Sequence, residues 1–453
     1  MSETTLSTQE YIELWKVIYR GYPDWLNYQY ATLAGRLQKR TRKSFKGAKM
    51  VCTELIGLMY SERPTMKASS DLQAILDRSG WDRNISGFSE KTLALGGGAF
   101  KIFTKDNLIY IDFVSAGDFF PVSWDQNGIY EADFLERKIF NKKKYLRIEK
   151  HRKIEGGYNI LNEYYELGQG GQRNKTTAYA CGLTVDPEVQ ANGVNIMTEN
   201  PLFSYVYLPE ANNIEDDVRT GISVFANSVD TLEGLDIAFD ALRSEVVLGR
   251  KRIIVPAQAV RRVVNDEGVL VKYFDPSDEV YQAFEGDDTT ALKITDNTTE
   301  LRIDDLRMAV QTYLDILSIQ IGFSAGYLTF DGQSGMKTAT EIVSENSKTH
   351  KTSVNLSEAF KDAIESIVES IRAIEPIYNI SVGEFSYTYQ DNIIEDRATK
   401  TAYWTNRLNQ GTATLEEMLM NVDGLDEAGA IKQANIIRVA NATGTIDNTF
   451  EVE

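Results

Sequence analysis

Gly322-Phe-Ser-Ala-Gly-Tyr-Leu-Thr-Phe-Asp-Gly-Gln-Ser-Gly335 separates two helical patterns, and its reading decides the fold. Before it, Leu306, Val310, Tyr313, Leu314, Leu317 and Ile321 recur at helical spacing and predict a helix over 303–321. After it, a second helix is predicted from Thr338 to Ile374, where Pro376 stops it. At 1.5 Å per residue such a helix is about 54 Å long, well beyond the usual length in a globular domain. Its first half, Ser344-Glu-Asn-Ser-Lys-Thr-His-Lys-Thr-Ser353, is almost devoid of apolar residues. A helix polar all round bridges solvent or packs on polar partners. Its second half is amphipathic through Leu356, Phe360, Ala363, Ile364, Ile367, Val368, Ile371 and Ile374. The loop between the helices holds four glycines in fourteen residues and carries Phe323, Tyr327 and Phe330. A long glycine-rich connection of this kind is a candidate for function.

Working outward, residues 210–249 read as a helix with an apolar face of Leu232, Leu235, Ala238, Phe239, Leu242 and Val246, and Gly249 as its stop. Short strand-like runs follow at 252–256 and 269–274. From Ala99 to about Tyr207 the period changes to two, through Phe100, Ile102, Tyr110, Phe113, Phe134 and Ile148, with turns at Asp106-Asn107, Gln126-Asn127-Gly128 and Glu155-Gly156-Gly157. This is an antiparallel β lobe. Lys142, Lys143 and Lys144 give it a modestly basic edge of the kind that blocks strand pairing. Ahead of it, helical signals cover 9–35 (interrupted at Pro23), 45–61 and 70–95. The basic run from Arg36 to Lys49 reads as a solvated helical face, with a nucleic-acid patch as the sharper alternative. Downstream lie a strand at 385–389 and helices near 396–409, 415–421 and 426–442. Thr412 or Thr414 is placed to cap the second of these, and Glu417 falls in capping-box register with Thr414.

The fold class is therefore α+β, and 453 residues, 42% of them apolar, predict two or three lobes. No apolar stretch is long enough for a bilayer. Met1 to Glu10 lacks the basic and apolar regions of a signal peptide. Cys52 and Cys181 are too few for a disulfide framework, which fits a reducing compartment. Two histidines, His151 and His350, leave little room for zinc or Ser-His-Asp chemistry. Leu95-Gly-Gly-Gly-Ala-Phe100 lacks the Lys-Ser/Thr of a phosphate loop and reads as a break between helix and strand. Asp216-Asp217, Asp287-Asp288 and Asp304-Asp305 lack calcium-loop spacing and read as solvated charge. No catalytic residue, metal ligand or cofactor is expected. The formal charge of −18 argues against tight DNA binding, although it suits a surface past which a polyanion must slide.

Three stretches, in this order, resemble the portal proteins of long-tailed phages (siphophage type) of Gram-positive hosts. They are Asn227-Ser-Val-Asp-Thr-Leu-Glu-Gly-Leu-Asp-Ile-Ala-Phe-Asp-Ala-Leu242 with Arg250-Lys-Arg-Ile-Ile-Val-Pro256, Ile319 to Phe330 with Gly335-Met-Lys-Thr-Ala-Thr-Glu-Ile-Val343, and Asp396-Arg-Ala-Thr-Lys400 with Asn409-Gln-Gly-Thr-Ala-Thr-Leu-Glu-Glu417. The resemblance covers roughly residues 10–440. It implies a portal fold: a helical and β wing over 1–226, stem helices at 227–249 and 301–321, a small mixed clip at 250–300, a tunnel loop at 322–337, a long helix and wing return at 338–395, and a helical C-terminal crown at 396–453.

It also implies a homo-oligomeric ring, commonly a dodecamer, at one capsid vertex of the virion, assembled in the host cytoplasm. Double-stranded DNA would pass through it during packaging and ejection. Terminase, major capsid and scaffolding proteins and a head-tail adaptor would be its partners, with no membrane and no cofactor. The DNA-channel residues it points to are Phe323, Tyr327, Phe330 and Gln333 of the loop and Lys337, Lys348 and Lys351 beside it. Two other classes compete: another head-tail adaptor or minor capsid protein, and an enzyme using paired carboxylates. Adaptors are usually much shorter and lack two long helices joined by a glycine loop. A hydrolase activity abolished by changing one Asp would favour the enzyme.

Overall fold

The structure is a computed structural model that describes residues 7–31, 35–61, 63–215, 218–248, 253–254, 261–264, 270–273, 295–296, 300–329, 339–389, 397–423, 425 and 427–443. The chain divides into two compact units. One comprises residues 1–23, 48–229 and 315–453, the other 24–47 and 230–314.

Helix α1 (Thr8–Arg20) starts where the Ser7 backbone N–H donates to Glu10 Oε2 at 2.8 Å and ends at Gly21, whose φ of +78° is left-handed. The expected helical continuation and basic helical face are not found. Residues 24–26 form a single 3-10 turn, and β1 (Asn27–Ala31) pairs antiparallel with β2 (Leu37–Thr41). The alternation Tyr28, Tyr30 and Gln38, Arg40 wins over helix periodicity here, as aromatic residues favour strands. Helix α2 (Gly47–Met59) and strand β3 (Thr65–Lys67) follow. The stretch expected as one helix over 70–95 is two, α3 (Ser70–Ser79) and α4 (Trp81–Leu95), because Gly80 takes φ +65° between them.

The β lobe is antiparallel as expected. Its strands are β4 (Gly98–Lys105), β5 (Leu108–Ser115), β6 (Phe119–Asp125), β7 (Gly128–Phe140), β8 (Lys143–Ile154), β9 (Gly157–Leu167) and β10 (Arg173–Thr176). Helix α5 (Pro187–Asn192), β11 (Val194–Ile196) and β12 (Phe203–Tyr205) complete it. One sheet runs β10-β9-β8-β7-β6, with β11 also on β9; a second runs β12-β4-β5. Positive φ at Asp106-Asn107 and Asn141-Lys142 makes the tight hairpin turns whose twist suits paired strands. Phe119, Phe134, Phe203 and Tyr205 form a buried aromatic cluster within the lobe.

The expected helix over 210–249 begins only at Val229: α6 spans Val229–Leu248, and the described residues of 210–228 are irregular apart from a 3-10 turn. Among 250–300, the described residues form β13 (Ile253–Ile254), paired with β16 (Thr295–Asp296), and β14 (Arg261–Val264), paired with β15 (Leu270–Tyr273). Helix α7 (Ile303–Ile321) and the 35-residue α8 (Ala339–Ala373) agree with the expectation. Pro376 then lies inside the short α9 (Glu375–Tyr378). Strand β17 (Ser386–Thr388) pairs with β3. Helices α10 (Arg397–Asn409), α11 (Leu415–Asp423) and α12 (Glu427–Thr443) close the chain. Thr414 caps α11, its N–H donating to Glu417 and its hydroxyl accepting from the Glu417 N–H.

In the smaller unit, two aspartates one turn apart on α6 organise the hairpin. Asp236 accepts from Trp25 Nε1 (2.9 Å), Ser44 Oγ (2.9 Å) and the Phe45 N–H (2.7 Å). Asp240 accepts from Arg40 (3.0 Å) and the Lys43 N–H (3.2 Å). Both aspartates are buried, so these bonds replace the water they lost. Gly234 is the close-approach point of α6 on α7: a Cβ there would strike the Tyr313 ring. In the larger unit, α8 packs on β4, β12 and β17.

Candidate functional site

The junction where α7 gives way to the glycine loop and meets α8 gathers most of the described candidates. α7 ends as the Phe323 N–H donates to the Ser318 carbonyl at 2.8 Å, and Gly322 takes φ +91°. A Cβ on Gly322 would lie 2.7 Å from Thr352 Oγ1, so both the backbone angle and the space require glycine. Thr352 Oγ1 donates to the Gly322 carbonyl at 2.8 Å. The Ser324 N–H donates to Thr349 Oγ1 at 2.8 Å, and the Thr349 N–H donates to Ser324 Oγ at 3.3 Å, a reciprocal pair between loop and helix. Lys348 Nζ donates to the Ile319 carbonyl at 3.0 Å, placing a cation at the negative end of α7.

These contacts explain how the polar half of α8 packs. Thr349, Ser353 and Ser357 are buried and lie four residues apart on one stripe. The stripe continues as Phe360, Ile364, Ile367 and Ile371. One face of α8 is thus buried along this whole length, changing from hydroxyl to hydrocarbon partway. The i, i+4, i+8 spacing of Thr349, Ser353 and Ser357, in phase with Phe360 and Ile364, was the available signal.

The described candidates differ in exposure. Phe323 is fully buried, its ring tilted against that of Tyr327 with centroids 4.8 Å apart; Tyr327 is half-buried. Burial and the neighbouring Glu54 raise the Tyr327 phenol above its ordinary value. Lys348 and Lys351 are exposed. Phe330, Gln333 and Lys337 lie outside the described residues. Beside the junction is a cavity of about 370 Å³ whose wall includes Glu210, Ile319, Gly322, Lys348, Thr352 and Asn355. Burial raises the Glu210 carboxyl, offset in part by a 3.0 Å hydrogen bond from Asn227.

A second polar cluster, which sequence reasoning missed, lies inside the β lobe. Glu149 accepts from Lys101 Nζ at 3.1 Å, sits 2.9 Å from His151 Nε2 and pairs with Arg147 at 3.4 Å. Lys101, Glu149 and His151 are all buried. Burial alone would raise the Glu149 carboxyl; the Lys101 charge, the hydrogen bond to His151 and the Arg147 charge overcome it and hold the group well below the usual carboxylate range. The cluster is enclosed within the lobe. The described residues hold no group of three or more His, Cys, Asp or Glu suited to a metal. None of their helices is long and apolar enough to cross a membrane.

The geometry is that of an α+β scaffold with long helices, a β lobe and a hydroxyl-lined helix junction. Residues 12–435 match the family described as "Phage portal protein, SPP1 Gp6-like", and the chain belongs to that family. Its role is accordingly that of a portal or connector protein of a virion; it is a structural protein and not an enzyme. No curated protein sequence matches the chain. Among solved structures, it is similar to a chain of "Neck of empty GTA particle computed with C6 symmetry", at 8% identity, 84% coverage of this chain and 90% of that one, and a TM-score of 0.48. A chain of "Virion of native gene transfer agent (GTA) particle" aligns at 8% identity, 84% and 89% coverage and TM-score 0.45. A chain of "Neck of native GTA particle computed with C12 symmetry" aligns at 9% identity, 83% and 89% coverage and TM-score 0.41.

Proposed function

We propose that this chain is the subunit of a ring, commonly twelve copies in this family, at one capsid vertex of a long-tailed phage of a Gram-positive host. Double-stranded DNA passes through the ring during packaging and ejection. The ring docks terminase first and a head-tail adaptor later, and assembles in the host cytoplasm with major capsid and scaffolding proteins. Membership of the portal family over residues 12–435 is the observation that carries this reading.

In this reading residues 1–226 form the wing, 227–249 and 301–321 the stem helices, 250–300 the clip, 322–337 the tunnel loop, 338–395 the long helix and wing return, and 396–453 the crown. The loop approaches DNA through Tyr327, Phe330, Gln333 and Lys337, with Lys348 and Lys351 beside it. Phe323, buried against Tyr327, anchors the base of the loop. The −18 charge favours a wall that lets phosphate slide past.

Negative-stain electron microscopy with mass photometry tests the ring; open rings near twelve subunit masses are expected. Replacing residues 330–337 by a Gly-Ser linker of equal length tests the conduit. It leaves Phe323 and Leu328, both buried, in place. Ring assembly should survive while DNA packaging falls, and normal packaging in that variant removes the loop from the mechanism.

A further inference from the structure

Two rows of side chains cross the β10-β9-β8-β7 sheet at its end next to the Asn141-Lys142 turn. The outer row is Ile139, Lys144, Leu167 and Arg173; the inner is Arg137, Leu146, Tyr165 and Lys175. Strand alternation puts all eight on one face. Four are cations and none is a carboxylate, in a chain with 66 acidic and 48 basic residues. The opposite face at this end is closed by the segment carrying Ala178, Cys181, Leu183 and Val185, packed on Tyr145 and Tyr164. The row face is open along its rim: Ile139 is 71% exposed, and Arg137, Lys144, Arg173 and Lys175 are exposed, while Leu146 beneath them is buried. Arg137 pairs with Asp118, and Lys175 with Glu163 at 3.2 Å. Lys144 and Arg173 have no ion pair among the described residues.

An exposed isoleucine between cations suits a protein surface better than a phosphate backbone. An acidic complement exists in the same unit of the same chain. On α8, Glu358, Asp362, Glu365 and Glu369 recur along one side over three turns, and Glu358, Asp362 and Glu369 are exposed. Lys361 pairs with Glu358 and Arg372 with Glu369. The four acidic residues span about 16 Å of helix, and three strand spacings across the basic rows span about 14 Å. The two surfaces differ, as a ring of identical subunits requires of each interface.

We propose that the basic end of the β-lobe sheet docks on the acidic side of α8 of a second copy of this chain. This rests on the ring reading above and names one seam of that ring. Because exposed pairs are individually weak, the seam acts through several charges together and loosens with salt.

The test is mass photometry of the full-length protein, wild type and variants, at 50 mM and 500 mM NaCl, with circular dichroism as the folding check. The readout is self-association of any order. Reversing the basic rows (Lys144→Glu with Arg173→Glu) and reversing the acidic side (Glu358→Lys with Asp362→Lys) should each shift the population to smaller species, by at least tenfold in the concentration needed for association. Combining all four reversals should restore assembly. Wild-type assembly in either double variant overturns the seam and leaves the portal reading untouched. So does loss without restoration in the combination. A basic-row variant that assembles normally but no longer retains a double-stranded DNA oligonucleotide makes this a DNA face and also overturns the proposal. A strictly monomeric wild type overturns the seam together with the ring itself.

Discussion

Two of the buried polar regions of the larger unit use opposite chemistry. At the α7–α8 junction the partners are neutral: Thr349, Thr352 and Ser324 hydroxyls with backbone groups. In the β lobe they are charged: Lys101, Glu149 and Arg147, with His151 hydrogen-bonded to the carboxylate. A neutral hydrogen bond contributes about 0.5–1.5 kcal/mol net and can be exchanged for water with little loss. A buried charge stripped of its partner costs about 3–5 kcal/mol. The lobe is therefore built to keep one arrangement, and the junction to tolerate another. In a protein whose loop is proposed to meet moving DNA, the exchangeable chemistry lies at the base of that loop.

The widest difference should appear at Glu149. Glu149→Ala leaves Lys101 buried without its main partner and should destabilise the protein by about 3–5 kcal/mol in urea unfolding. A loss below about 1 kcal/mol would show that water reaches the cluster, and the contrast between the two regions would fail. The same residue sets a pH dependence. Its folded-state pKa lies below that of the unfolded chain, so its contribution is complete above the ordinary carboxylate range and is lost as pH falls below it. Melting temperature should drop more steeply between pH 5 and pH 3 (roughly the window where an unperturbed carboxylate titrates) in the wild type than in Glu149→Gln, which has nothing to protonate.

A smaller effect is expected at Gly322. Gly322→Val meets both a φ of +91° and the Thr352 hydroxyl, and should cost about 1–3 kcal/mol. Adding Thr352→Ala relieves the collision and leaves the backbone strain. Partial recovery of the melting temperature in the double variant would separate the two; full recovery would mean that the angle itself is harmless.

How much of this was legible varies with the physics involved. Long periodic helices such as α7 and α8 read correctly because one buried face repeats over many turns. The hairpin strands read correctly because Asp106-Asn107 and the glycine turns mark their ends. The 24–47 hairpin did not, because its aromatic and basic residues fit either period and only Asp236 and Asp240, some two hundred positions away, select the strand form. Nor did the Lys101–Glu149 pair, since both faces of β4 are covered and alternation carries no hint that a lysine points inward. The hydroxyl stripe of α8 had a signal in its four-residue spacing, hidden by the charged residues around it. At the junction the candidates divide by burial: Phe323 is core, Lys351 is surface, and composition alone does not distinguish an anchor from a contact.

The finest test is at Thr349. Thr349→Val keeps the shape of the side chain and removes the oxygen that accepts from the Ser324 N–H. Valine fills the same volume, so the cost is limited to one unpaired buried amide, about 1 kcal/mol, while Thr349→Ser should lie close to wild type. Hydrogen exchange is the more direct readout. The Ser324 amide should be protected in the wild type and in Thr349→Ser, and should exchange faster in Thr349→Val with the β-lobe amides unchanged. Faster exchange across the whole protein would mean that the junction is coupled to global unfolding like the charged cluster, and the two regions would then differ in chemistry but not in how firmly they are held. Faster exchange confined to Ser324 and its loop neighbours gives the junction a local opening equilibrium of its own, which the proposed contact of the loop with a passing duplex requires.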